Sequence, residues 1–281
     1  MVTSISARLQ RGILLSTFLV FILNPVAHTL PADDQGLARS MAKALADAKV
    51  KTVVVFDFMG PGDRLSQLGR ELADGFSRML TTSGAKFDVI DRVKVQAVIE
   101  KNRVAPDVIR DPEISWWLAR QLNADALIVG KLSPIDGNKL EIGVAAAKTK
   151  DGKNLASLSV TAPTTDEMKA RLSKSLSEDH TKERLAPDSP KEYFPKCIYC
   201  PSPQFPGTGM TYKEGDTVEL VVRVDEDGLA RDIEYIKATP NETILMAIEA
   251  IQTWRFQPGQ GPDGKPRAVW QPIQITIHFM H

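Results

Sequence analysis

Among 281 residues there are only two cysteines, 6% aromatics and no excess of either charge, Lys plus Arg equalling Asp plus Glu at 35 each. The charge balance excludes the basic footprint that nucleic-acid binding needs. It equally excludes a long-range field that would steer an anionic partner. No Ser/His/Asp triad and no paired-carboxylate motif can be found, and the histidines His28, His180, His278 and His281 are scattered without ligand spacing. Gly60-Pro61-Gly62 is followed by no Gly-Lys-Ser/Thr, so it is not a phosphate cradle. Catalysis, a metal and a cofactor are therefore not expected. What remains is ordinary globular composition, 43% hydrophobic and 25% charged, in a chain long enough for about two domains.

No apolar run reaches the roughly 20 residues that span a bilayer as a stable helix. Near the start, Arg8 and Arg11 precede an apolar core from Gly12 to Leu23, then Asn24-Pro25 and the small residue Ala27. That is the order of an export signal. The expectation for 1–32 is a signal peptide or an N-terminal anchor through residues 12–27, placing the rest in the periplasm, either soluble or held at the inner membrane.

Along the chain, Leu37, Met41, Ala44, Leu45 and Ala48 predict a short helix. The β-branched run from Val50 to Phe58 predicts a buried strand. Leu65, Leu68, Leu72, Phe76, Met79 and Leu80 predict a helix ended by Ser83-Gly84. A strand at 87–90 and helices at 93–101 and 113–122 follow, the last opening on Asp111-Pro112 as cap and first-turn proline. Strands are expected at 126–130 and 139–146, with a hairpin at Lys150-Asp151-Gly152 returning through 155–160. This order describes an α/β layered domain with a mixed sheet over 36–160. Residues 161–194 are polar, carry Pro187 and Pro190, and read as a linker holding one modest helix around Met168, Leu172 and Leu176.

The remaining segment, 195–281, predicts a small α+β domain with an antiparallel sheet and one main helix. Val218, Leu220, Val222 and Val224 share a strand face before the turn Asp225-Glu226-Asp227-Gly228. That turn lacks the further ligands and closing Glu of a calcium loop. Ile244, Ala247, Ile248, Ile251 and Trp254 form one helix stripe. A final strand from Val269 alternates through Ile273, Ile275, Ile277 and Phe279. The overall class is thus α/β plus α+β. Of Trp116 and Trp117, one is expected in the core and the other on a partner surface. Asp57 falls where ligands bind open α/β sheets, but no partner constellation supports it.

The order Trp254-Arg255-Phe256-Gln257-Pro258, Asp263-Gly264-Lys265-Pro266 and Pro272-Ile273-Gln274-Ile275 resembles the TonB C-terminal domain family. Phe56-Asp57-Phe58, the segment from Asn123 to Gly130 and the close at Lys148 to Lys153 resemble the group containing FlgO, CsgG and the TolB N-terminal domain. The TonB resemblance implies a non-enzymatic adaptor or energy transducer. Its last strand, here Ile273, Gln274, Ile275, Thr276, Ile277, His278 and Phe279, would accept an extended segment of an outer-membrane transporter or other envelope protein by strand addition. The same residues would otherwise complete a sheet or a homodimer seam. An anchored form would contact an inner-membrane motor.

Cys197 and Cys200 leave three readings open. A redox site needs a helix starting at the pair, and Pro195, Pro201 and Pro203 oppose one. A zinc site needs two more ligands. A local disulfide in an oxidising compartment needs neither and is favoured. A thiol-disulfide redox protein is the alternative function.

Overall fold

The computed structural model describes residues 32–136, 138–176, 194–205, 213–238 and 243–277. The signal or anchor expected at the N-terminus lies outside them, as do His278 and Phe279. No helix among the described residues is long and apolar enough to cross a membrane.

The first unit runs α1 (Ala32–Asp47), β1 (Thr52–Val55), α2 (Gln67–Thr81), β2 (Asp88–Val89), α3 (Arg92–Lys101), α4 (Pro112–Gln121), β3 (Ala126–Ile135), β4 (Lys139–Lys148), β5 (Asn154–Pro163) and α5 (Asp166–Ser173). Its sheet has the order β2-β1-β3-β4-β5, parallel among the first three strands and antiparallel from β3 to β5. Strand alternation sorts the core onto two faces. Val53, Val55 and Ile128 meet Met41 and Leu45 of α1 and Leu72 and Phe76 of α2. Val54, Phe56 and Leu127 meet Val95 and Ile99 of α3 and Ile114 and Leu118 of α4.

Side-chain caps fix where the helices begin. Ser66 Oγ accepts from Gly69 N at 3.1 Å, and the Asp111 carboxylate accepts from Glu113 N at 2.9 Å, with Pro112 in the first turn. Gly130 allows the close approach of Phe58, whose ring would lie 2.3 Å from any Cβ there. The segment read as linker is part of this fold as far as Leu176. β5 reaches Pro163, Thr165 caps α5, and Leu176 N donates to Leu65 O at 3.0 Å.

The second unit runs β6 (Lys196–Tyr199), β7 (Thr217–Val224), β8 (Ala230–Ala238), α6 (Thr243–Thr253), β9 (Arg255–Gln257), β10 (Gly259–Gln260), β11 (Pro266–Arg267) and β12 (Val269–Thr276). Its main sheet is antiparallel in the order β12-β7-β8; β6 pairs β9 and β10 pairs β11. Ile244, Ala247, Ile248 and Ile251 of α6 are fully buried together with Val218, Leu220, Val222 and Val224. Gly228 turns the hairpin with φ +76°, and a Cβ there would stand 1.9 Å from Phe256 O.

The two units share one apolar core, because Val104, Val108 and Ile109 are buried in the same cluster as Ile233, Leu220 and Ile248. Between α3 and α4, a strap from Asn102 to Arg110 runs along β8. Ile233 N donates to Arg103 O at 2.8 Å, and Ala105 N donates to Ile233 O at 3.0 Å.

Candidate partner-binding site

The edge proposed from sequence is β12, and its geometry follows from one residue type. Pro272 has no N–H, so in an edge strand its nitrogen must turn away from the neighbour. Ile277, on the opposite parity, donates its N–H to Asp216 O at 2.8 Å on the β7 side. Antiparallel ladders alternate, so the backbones of Ile273, Ile275 and Ile277 bond toward β7, while those of Gln274 and Thr276 face outward. Among the described residues no strand pairs that outer side. Side chains divide by the same period. Ile275 and Ile277 are buried and Ile273 is half-buried, whereas Gln274 and Thr276 are exposed. The isoleucines hold the strand to the core, which leaves main-chain groups as what β12 offers a partner.

The opposite edge, β8, is closed. Besides the strap's two backbone bonds, Arg110 Nη2 donates to Tyr235 O at 3.1 Å on β8, and Arg103 Nη1 ties the strap to α6 by donating to Gln252 O at 3.2 Å. Burial, then the neighbouring Asp111 charge, raises the Tyr235 phenol above its usual range, and its hydroxyl hydrogen-bonds Asp111 across the seam.

Asp57 is not a free ligand. Its side chain is 2% exposed and is hydrogen-bonded by Arg92 and, at 3.2 Å, by Arg70 Nε. Arg92 also reaches Val55 O and Asp74, both at 2.7 Å, and burial lowers its guanidinium to about 10. Burial raises the Asp74 carboxyl. In this network each Asp57 oxygen accepts from an arginine. Beside it, over the α4 side of the sheet, lies a cleft of about 620 Å³ bordered by Trp116, Val129, Lys131, Ala145 and Ser157. Trp116 and Trp117 are both half-buried, rather than one inside and one out.

Cys197 and Cys200 are disulfide-bonded. Cys197 sits in β6, an exposed strand opposite β9, and Cys200 directly follows it, with no helix starting at the pair. Ile198 and Tyr199 between them are 70% and 59% exposed, a surface that sequence periodicity did not reveal because β6 has only four residues.

Trp254 and Phe256, which carried part of the TonB resemblance, and the turn at Asp225 serve packing and turn closure. Asp225 accepts from Leu229 N at 2.8 Å and Arg231 Nε at 3.0 Å, Trp254 Nε1 donates to Pro201 O at 2.9 Å, and Trp254 and Phe256 are buried with rings 6.1 Å apart.

No family model and no curated protein matches this chain. Among solved structures it is similar to the LpoB C-terminal domain from Salmonella enterica, with 15% identity and a TM-score of 0.38 over 46% of this chain and 95% of that one. The LpoB C-terminal domain from Escherichia coli gives 14% and 0.38 over 47% and 99%. Lipoprotein GNA1162 from Neisseria meningitidis gives 13% and 0.34 over 41% and 82%. The TonB assignment is overturned: no family model supports it, and LpoB domains, not TonB, are among the solved structures found. Coupling to an inner-membrane motor goes with it; of the FlgO, CsgG and TolB group, TolB from Acinetobacter baumannii is among the solved structures found, at 10% identity and a TM-score of 0.23 over 67% of this chain and 38% of that one. The physical reason is that a capped hairpin turn, an aromatic helix exit and an alternating last strand meet needs common to many small α+β sheets.

Proposed function

We propose that this chain is a non-enzymatic periplasmic protein of the cell envelope that binds an envelope protein partner by accepting an extended segment along β12. The observation that carries this reading is the outward-facing backbone of Gln274 and Thr276 on a sheet whose other edge is closed. Main-chain pairing gives such a site affinity, and side chains on alternate positions give it selectivity. The envelope location is supported by the export-type order of residues 8–27 and by a disulfide, which persists in oxidising compartments.

A photo-crosslinking residue at Thr276, in the full chain in its own envelope, tests the reading. It captures one defined envelope protein, and Gln274→Pro, which removes an outward donor, abolishes the adduct. An adduct that survives Gln274→Pro sinks strand addition at this edge.

A further inference from the structure

Of the four strand edges that end the two main sheets among the described residues, β2 has two residues, β8 lies under the strap, and β12 carries Pro272 and keeps only the outward groups around Gln274 and Thr276 for a partner. β5 is different. From Ala156 to Ala162 it is a regular edge with neither a charge nor a proline, the devices by which edges are kept from pairing. Its parity is fixed twice. Thr164 N donates to Asn138 O at 2.8 Å on the β4 side, and Pro163, one position away, has no N–H to give. The backbones of Ser157, Ser159 and Thr161 therefore face outward. All three residues are exposed, and no other backbone partner reaches their N–H groups among the described residues.

The order Ala156-Ser157-Leu158-Ser159-Val160-Thr161-Ala162 is chemically palindromic about Ser159. Laid antiparallel on itself, it sets Ala156 opposite Ala162, Ser157 opposite Thr161, Leu158 opposite Val160 and Ser159 opposite Ser159. Aliphatic pairs then share the helix-covered face, where Leu158 and Val160 already pack on the core. Hydroxyl pairs share the other face. Both pair types stabilise a sheet, and no like charges meet. A two-fold interface must be self-complementary in this way.

We propose that two copies of this chain join through β5, antiparallel about Ser159, to make one sheet continuous across the dimer. An unrelated partner strand would not require the palindrome.

The test uses the full chain. Ser159→Cys should form an intermolecular disulfide, because hydrogen-bonded antiparallel pairs stand about 5.5 Å apart at Cα, within disulfide reach. Ser157→Cys should not, since its copies would be offset by four residues, about 13 Å along the strand. In sedimentation equilibrium the parent is a dimer. Ser159→Pro removes two symmetric hydrogen bonds and weakens dimerisation by about thirtyfold. Ser159→Lys, which keeps the fold's own ladder donors, should also favour monomer. A parent that stays monomeric overturns the proposal. So does a dimer that survives both variants, or cross-linking that does not distinguish 159 from 157.

Discussion

Two carboxylates of opposite character illustrate what single residues contribute. Asp57 is held by two arginines away from water, so Asp57→Asn removes the buried charge between them and leaves Arg92 with Asp74 alone. The expected cost is about 3 kcal/mol, measured by urea unfolding. At Asp225, burial favours the neutral form, but hydrogen bonds from Leu229 N and Arg231 outweigh it and hold the carboxyl below its usual range. A depressed carboxyl stabilises the fold above its unfolded value and loses that contribution as pH falls through its folded one. Stability of the parent should thus fall on acidification below about pH 4, and Asp225→Asn should flatten that part of the profile in unfolding curves taken across pH. The turn itself was legible from Asp225 to Gly228, because the αL glycine and the Asx oxygen are local requirements. The arginine partners of Asp57 were not, since residues 70 and 92 meet it only through tertiary packing.

At the scale of elements, the parity of β12 separates two proline substitutions one residue apart. Gln274→Pro alters only the outward side and should change stability by about 1 kcal/mol or less while removing partner capture. Ile275→Pro breaks a ladder bond and deletes a buried side chain, and should cost about 3 kcal/mol or more by thermal unfolding. The helices α2 and α4 were readable from spacing and caps, and β7 and α6 from their apolar faces. β8 was not foreseen. Its sequence Arg231-Asp232-Ile233-Glu234-Tyr235 alternates weakly, and two register shifts against β7 break the two-residue period further. β6 escaped because its four residues lie between prolines. The last strand was legible from its alternation after Val269, but the edge at Ile273 to Phe279 was implied only by the TonB resemblance. Which of its groups face outward needed the ladder.

Over the whole molecule, the core shared by the two units implies joint unfolding. Calorimetry of the parent should give one cooperative transition. The double variant Arg103→Ala/Arg110→Ala removes the ties to Gln252 and Tyr235 and should split it in two. Sequence periodicity did not show the seam, because Asn102–Arg110 satisfies neither helical nor strand spacing and is shaped by what it lies against.

That strap has a consequence for assembly. Head-to-tail stacking of like sheets needs each copy to offer a donor edge and an acceptor edge, and such a contact repeats without end. With β8 sealed by its own chain, a strand arriving at β12 finds no second edge through which to pass the pairing onward. The C-terminal sheet is a chain terminator: it can take one guest, and it cannot seed a fibre.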